Sequence, residues 1–186
     1  PAWPGHILSL NPVIGRDGQI KHVYWKSRNV IRLNADEIPT TTVENVRDRF
    51  RAKYGIEEEF PVLMTEYGNI AVSTVQLDPF VFAAYAMRGV EIMLRTATLF
   101  SKVDVQAVAM YNNMYSAMSN ITFPPDSGGP ASLGGGSLIV GPMGKVLAES
   151  KGEVRYAAEF FRWFSEEAVR IDGRYTHAPA GNGRIL

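Results

Sequence analysis

Few side chains in this sequence could act as a nucleophile or hold a metal ion. The 186 residues include three histidines and no cysteine. The missing thiol excludes disulfide bonds, thiolate metal sites and every cysteine nucleophile within the chain. His6, His22 and His177 are far apart and lack the spacing of metal ligands. The sequence therefore predicts neither a metal site nor a bound cofactor.

One stretch, "NIAVSTVQLDPF", has the form of a strand end that could carry a reactive group. Its apolar run predicts a strand over Ile70–Val75, and Asp78 or Pro79 then predicts the start of a helix that Gly89 ends. In α/β enzymes a nucleophile is commonly placed at such a strand-to-helix junction. Here the junction offers Ser73, Thr74 and Val75, and none of them is an obvious nucleophile.

The order of the predicted elements around this junction indicates an α/β fold with a mixed sheet, because hairpins alternate with strand–helix–strand units. Asp17-Gly18 lies between two apolar runs and predicts a hairpin, with Lys26 just after its second strand. The predicted strands are His6–Ile14, Gln19–Trp25, Phe60–Thr65, Val90–Leu94, Met114–Ile121 and Val154–Ala158, with a second hairpin turning at Gly141–Gly144. The predicted helices begin at Thr41 or Thr42 and end at Tyr54, run over Ser101–Asn113, and begin again at Phe160.

Charge and hydropathy argue against two classes of partner, nucleic acids and membranes. Nineteen basic residues balance nineteen acidic ones, and neither sign is clustered, which argues against nucleic-acid binding. No apolar run reaches the roughly 18–20 residues that span a bilayer, and no signal peptide is visible, so we expect no membrane contact and a cytoplasmic location. The chain begins at Pro1 rather than methionine, and we expect upstream sequence to have been removed or omitted.

Five motifs occur in the order seen in one enzyme superfamily. They are "GRDGQIKHVYWK", "FPVLMTEYGNIAV", "AMRGVEIMLRTAT", "YNNMYSAMSN" and "GGGSLIVGPMGKVLAE". With them the chain resembles the nitrilase superfamily of carbon–nitrogen hydrolases, from about Leu8 to about Phe164. The resemblance implies an α-β-β-α sandwich that pairs into dimers or larger assemblies. It also implies a Glu-Lys-Cys site, in which the cysteine attacks a nitrile or amide carbon and the lysine stabilises the charge that develops.

The motifs of this sequence assign a residue to two positions of the family's site. Lys26, in "Y-W-K", matches the family lysine, although a surface lysine at a strand end is the alternative. Val75 falls at the position of the nucleophile, where it is inert. Ser73 is the candidate substitute, because alternate strand residues share a face and Thr74 should point the other way. A serine would need an activating base within about 3 Å.

The carboxylates of the implied site are less complete. The general-base glutamate belongs to a family segment upstream of Pro1. Glu37 is a candidate for the assisting carboxylate by order along the chain, and a solvated loop carboxylate is the alternative reading. The resemblance thus predicts a nitrilase-like domain over residues 1–172, incomplete at its N-terminus, followed by an extended tail over 173–186.

Two functions follow from these observations. The first is a degenerate member of the superfamily with a ligand-binding, structural or regulatory role, in which the ligand is a small amide- or nitrile-like molecule. The second is a hydrolase whose site is completed by an upstream segment or a partner subunit. In either case the missing strands would leave sheet edges exposed, so we expect a homo-oligomer or a complex with another nitrilase-like chain.

Overall fold

The computed structural model describes residues 3–29, 39–97, 101–120 and 135–149, together with residues 162, 176–177 and 184–185. The chain divides into two units, residues 1–150 and residues 151–186. Within the second unit the described elements are two short antiparallel strands, β9 (Thr176–His177) and β10 (Arg184–Ile185). The strand and helix predicted after residue 153 lie outside the described residues, apart from Arg162.

A six-stranded mixed sheet dominates the first unit, in the spatial order β3-β4-β5-β6-β7-β8. The strands β4, β5 and β6 are parallel, and the three remaining pairings are antiparallel. This arrangement confirms the predicted α/β class with a mixed sheet. The strands are β3 (Leu63–Thr65), β4 (Gly68–Ser73), β5 (Ile92–Ala97), β6 (Tyr115–Asn120), β7 (Leu138–Val140) and β8 (Val146–Glu149).

The predicted N-terminal hairpin is present as a separate two-stranded sheet, β1 (Leu10–Ile14) and β2 (Ile20–Trp25). Its turn contains Gly18 with φ +74°, a conformation that glycine adopts without a steric penalty. Tyr24 joins the hairpin to the large sheet, because its buried hydroxyl donates to the carbonyl oxygen of Ile70 in β4 at 2.9 Å. This hydrogen bond holds β2 against β4.

Three α-helices connect the strands in the described part of the first unit. They are α1 (Arg47–Tyr54), α2 (Pro79–Met87) and α3 (Lys102–Tyr111). The start predicted for α1 is wrong by about one turn, because a 3₁₀ turn at Glu44–Val46 precedes it and Val46 has the non-helical φ of −130°. The hydroxyl of Thr42 donates to Asn45 Oδ1 instead of capping the helix.

The start predicted for α2 is confirmed, and its cap is a carboxylate. Asp78 is the N-cap residue, and its Oδ1 accepts from the backbone N–H groups of Phe80 and Val81 at 3.2 and 3.4 Å. Pro79 occupies the first helical position, where its missing N–H costs nothing. The loop from Thr74 to Asp78, which we call the β4–α2 loop, thus joins a strand end to a well-capped helix.

The main core lies around the β4–α2 loop, between the hairpin, the large sheet and two helices. Its members come from β2, β4, α2, β5 and α3, and include Tyr24, Val72, Val75, Phe82 and Met93. A second cluster packs α3 against β6 and β7. A third surrounds Trp3, Val43 and Phe50 on the other side of the hairpin. In the described ranges, no helix is long and apolar enough to cross a membrane.

Candidate functional site

Val75, which resemblance places at the nucleophile position, is part of the hydrophobic core. It is 1% exposed and packs in the same cluster as Val72 and Phe82. Strand β4 ends at Ser73, so Val75 lies in the β4–α2 loop rather than in the predicted strand. The side chain has no group that can attack a carbon atom, and the surrounding packing gives solvent almost no access to it.

An arginine from the neighbouring strand fixes this part of the loop. Arg95 lies opposite Ser73 in the β4–β5 register, and its Nη2 donates to the carbonyl oxygen of Val75 at 3.0 Å. The same nitrogen donates to Asp104 Oδ2 at 2.6 Å, in the first turn of α3. The guanidinium also lies over the ring of Phe82, with its carbon 4.5 Å from the ring centroid. These contacts hold a charged group in the core next to Val75.

The environment of Arg95 is that of a structural ion pair. Its side chain is 0% exposed and that of Asp104 is 10% exposed. Burial lowers the pKa of Arg95 below its ordinary value, and the neighbouring Asp104 carboxylate opposes that shift. Because arginine stays protonated even so, Asp104 must remain close to balance its charge. The pair therefore ties β5, α3 and the β4–α2 loop together.

Ser73, the candidate substitute nucleophile, is 5% exposed at the end of β4. Its Oγ accepts from the backbone N–H of Val75 at 3.1 Å, a local turn-type contact. Among the hydrogen bonds of the described residues, none joins Ser73 to a histidine, a lysine or a carboxylate. The residues brought together around it therefore include no base that could activate the hydroxyl.

The β4–α2 loop is short, and one of its residues has an unusual backbone conformation. Leu77 has φ +51°, a region that branched and bulky side chains seldom occupy. It is 52% exposed, so the side chain gains little burial in return. The conformation lets the chain turn from Val75 to Asp78 within two intervening residues.

Lys26 follows β2 and continues its pairing, because its backbone N–H donates to the carbonyl oxygen of Ser9 at 3.0 Å. By strand alternation its side chain leaves on the same side as Tyr24, which packs in the cluster that contains Val75. Partial burial lowers the pKa of Lys26. No carboxylate forms an ion pair with it among the described residues, so its amine is positioned near the core without a counter-ion there.

The carboxylate predictions have different outcomes. Glu37 lies outside the described residues, so its place as an assisting carboxylate stays a prediction. Within the described ranges, no group of three or more histidine, aspartate or glutamate side chains is arranged to hold a metal ion. The structure does place other carboxylates near the hairpin end, and the sequence analysis had not selected them as site residues.

These carboxylates belong to an arginine–carboxylate cluster around a cavity of about 90 Å³. Arg28 Nε donates to Asp78 Oδ2, and the pairing raises the pKa of Arg28. Glu59 is 7% exposed and accepts from Arg51 through both of its oxygens, at 2.7 and 3.0 Å. Arg47 Nε lies 3.6 Å from Glu59 Oε1. The cluster, together with Ser27, forms the polar wall of the cavity.

Solved structures of carbon–nitrogen hydrolases resemble this chain. One is a mutant of the amidase from Nesterenkonia sp. AN1, with the acetamide moiety of fluoroacetamide added at its active site cysteine. It is 21% identical to this chain, with a TM-score of 0.55. The match covers 74% of this chain and 49% of that chain. Another is the carbon–nitrogen hydrolase from Helicobacter pylori G27, 19% identical with a TM-score of 0.53, over 77% of this chain and 52% of that one. The chain has the nitrilase fold. That fold had been expected from the motifs, and the chain spans about half the length of these structures.

Curated relatives match this chain over a shorter stretch. Over 49 residues the chain is 64% identical to the succinate-semialdehyde dehydrogenase of Paenarthrobacter nicotinovorans, which is 26% of this chain and 11% of that enzyme. The mitochondrial succinate-semialdehyde dehydrogenase of Homo sapiens is 47% identical over 49 residues, 9% of its length. The chain thus spans about a tenth of these relatives. No model of a known protein family matches it.

Sequence reasoning missed the two arginine clusters, and only the cluster of Arg95 leaves a signal in the sequence. Arg95 interrupts the apolar run "VEIMLRTAT", and a charge inside a buried parallel strand requires a partner. Asp78 was recognised as a helix start, but not as the partner of Arg28. No local pattern connects residues 28 and 78, so that pair could be found only from the fold.

Proposed function

We propose that this chain is a nitrilase-like protein that has lost the covalent step of carbon–nitrogen hydrolysis and retains the fold for a ligand-binding, structural or regulatory role. The single observation that carries the proposal is Val75: it stands where the resemblance puts the nucleophile, it is 1% exposed, and its carbonyl oxygen accepts a hydrogen bond from Arg95. The similar amidase, by contrast, is described with an acetamide moiety on its active site cysteine. This chain contains no cysteine.

The expected loss of rate is large. Removing a covalent nucleophile typically lowers turnover on the order of 10⁶-fold, and the remaining activity comes from binding and charge stabilisation. Lys26 could still bind the oxygen of a small amide or nitrile-derived group, because its amine has no counter-ion among the described residues. A bound ligand of that kind would be held without being cleaved.

The test is an ammonia-release assay of the purified chain against short amides, nitriles and N-carbamoyl compounds, with butyramide included because it is bound in a solved mutant of the Nesterenkonia amidase. Lys26→Ala and Ser73→Ala variants serve as matched controls. We expect all three proteins to release ammonia at the same background rate. Turnover by the parent chain above the Lys26→Ala control would overturn the proposal, and its loss in Ser73→Ala would assign the nucleophile to Ser73.

A hydrolase completed by an upstream segment or a partner subunit is the second candidate. It is favoured by one observation, that the chain spans about half the length of the solved carbon–nitrogen hydrolases it resembles. Such a segment could supply a glutamate, but it would also have to bring a nucleophile to a position that Val75 fills. Native mass spectrometry of the protein from its natural source, combined with the same assay, separates the two candidates.

An oligomer, with itself or with another nitrilase-like chain, is part of the proposal. The two-stranded hairpin supports it, because Ile14 and Ile20 are 63% and 62% exposed and neighbouring exposed apolar side chains favour contact with another chain. Light scattering at micromolar concentration tests it, and a monodisperse monomer would contradict it. The proposal retains the cytoplasmic location expected from the sequence. The dehydrogenase-like stretch adds no function to it, since 49 residues are fewer than an ordinary domain contains.

A further inference from the structure

The cavity near the end of the hairpin is lined in part by charged and polar side chains, whereas Val75 lies in the hydrophobic core. Ser27, Arg28, Arg47 and Glu59 form one side of it, and the volume is about 90 Å³. That is roughly the space of three water molecules in the liquid, so it suits a molecule of about five non-hydrogen atoms. Neither Lys26 nor Val75 lines this cavity, and an inference about it does not depend on the proposed function.

Two guanidinium groups at the cavity contact the same carboxylate oxygen loosely. Arg28 Nη1 and Arg47 Nη2 each lie 4.0 Å from Glu44 Oε1. That distance exceeds the 2.7–2.9 Å of a charge-assisted hydrogen bond. Glu44 is 39% exposed, whereas the other carboxylates of the cluster, Asp78 and Glu59, are 6% and 8% exposed. Glu44 is therefore the carboxylate that can leave at least cost.

Glu44 supplies part of the negative charge beside the cavity. Arg28 is paired with Asp78, and Arg51, which lies outside the lining, binds Glu59 through both of its oxygens. If Glu44 turns into solvent, Arg47 has no carboxylate within hydrogen-bond distance among the described residues, since Glu59 lies 3.6 Å away. A ligand with a single negative charge would pair with Arg47, which a neutral amide of the same shape could not do.

A hydroxyl group and an apolar wall complete the lining. Ser27 is 8% exposed, and its Oγ has no hydrogen-bond partner in the described structure. A buried polar group without a partner is destabilising, so a ligand oxygen within reach of the Ser27 hydroxyl would be favoured. Phe60, Phe80 and Val81 also line the cavity and could cover a short alkyl chain.

We propose that this cavity binds a short-chain monocarboxylate. Its carboxylate takes the place of Glu44 between Arg28 and Arg47, with the Ser27 hydroxyl as a further donor, and its alkyl group of one or two carbons lies against Phe60 and Phe80. Arginine suits this role because its planar group binds carboxylates through two parallel hydrogen bonds. Binding involves no covalent step.

The experiment is a ligand-observed NMR titration of the folded full chain at pH 7 with sodium propionate, with propionamide as the neutral molecule of the same shape. Three variants accompany it: Arg47→Gln, Glu44→Gln, and Arg49→Gln as a matched control. Arg49 is exposed on the same helix and contacts Trp3 instead of the cavity. Thermal unfolding of each variant confirms that the chain is folded.

We expect saturable propionate binding, with propionamide at least tenfold weaker. Arg47→Gln should weaken propionate binding tenfold or more, Glu44→Gln should tighten it several-fold because the competing carboxylate is gone, and Arg49→Gln should leave it unchanged. Lack of saturation at tens of millimolar, equal binding of the amide, or an unchanged affinity in Arg47→Gln would overturn the proposal. If Arg47→Gln fails to fold, weaker or unchanged binding in Glu44→Gln overturns it independently.

Discussion

Two arginine–carboxylate pairs contact the β4–α2 loop, and they differ in what surrounds them. At the start of the loop, Arg95 bonds the carbonyl oxygen of Val75 and pairs with Asp104, and its side chain is fully buried. At the end of the loop, Arg28 pairs with Asp78 but is 30% exposed beside a cavity. The first pair lies in the hydrophobic core beside Val75. The second leaves room for a small molecule.

The difference follows from how much solvent reaches each guanidinium group. A buried guanidinium must be balanced and hydrogen-bonded, and Arg95 uses its Nη2 for two protein acceptors, the Val75 carbonyl oxygen and the Asp104 carboxylate. A partly exposed guanidinium is solvated and can exchange one carboxylate for another at small cost. We therefore expect substitutions at the first cluster to change stability, and substitutions at the second to change binding.

The largest effect is expected for Arg95→Met, which leaves the buried carboxylate of Asp104 without its counter-ion. Breaking one partner of a buried pair typically lowers the free energy of unfolding by about 3–5 kcal/mol. Urea denaturation followed by circular dichroism measures it. The double variant Arg95→Met/Asp104→Leu should recover a large part of the loss, because no unpaired charge remains. A loss below about 1 kcal/mol in the single variant would refute the structural role of this pair.

A smaller effect is expected for Asp78→Ala, which removes the N-cap of α2 and the partner of Arg28. Loss of an N-cap costs about 1–2 kcal/mol, and we expect about 2 kcal/mol in total. Asp78→Ser is the matched variant, because serine can cap the helix but carries no charge. In the same urea experiment it should lose less than Asp78→Ala. Equal losses would mean that the charge, and not the cap, determines the effect.

Alkaline pH should lower the free energy of unfolding through Tyr24, which packs in the same core cluster as Val75. Burial raises the pKa of Tyr24 to about 12, so the folded chain keeps this proton when the unfolded chain has lost it. The corresponding stability is fully present below about pH 10 and is lost as the pH rises towards 12, by up to about 2 kcal/mol. Urea denaturation between pH 8 and pH 11.5 measures the decrease. Tyr24→Phe should flatten it, although burial also raises the pKa of Tyr85, which keeps part of the slope. An equal slope in Tyr24→Phe would contradict this account.

The smallest effect on stability is expected for Arg47→Gln in the open cluster. The side chain of Arg47 is 49% exposed, and its contacts with Glu59 and Glu44 are 3.6 and 4.0 Å long. Exposed ion pairs contribute little, so the free energy of unfolding should change by less than about 0.5 kcal/mol. The urea midpoint of this variant, compared with that of Arg95→Met, measures the contrast directly. A loss above about 2 kcal/mol would place Arg47 among the structural arginines.

Much of the local structure could be predicted because it depends on near neighbours in the sequence. Asp17-Gly18 specifies the first hairpin, and Asp78-Pro79 specifies the start of α2 through a cap and a fixed φ angle. The start of α1 could not be read so well, since Thr42 resembles a cap but its hydroxyl donates to the side chain of Asn45. Local patterns offer alternatives of similar energy, and the packed structure selects one of them.

The sequence by itself determined that this chain has no thiol, and that valine stands where the resemblance places the nucleophile. It also determined the α/β class through the alternation of hairpins and strand–helix–strand units. Only the tertiary structure decided that Arg95 closes the position of Val75 from 20 residues away, and that Arg28 meets Asp78 across 50 residues. Charges pair according to distance in space and the dielectric around them, and neither quantity is encoded in local sequence spacing.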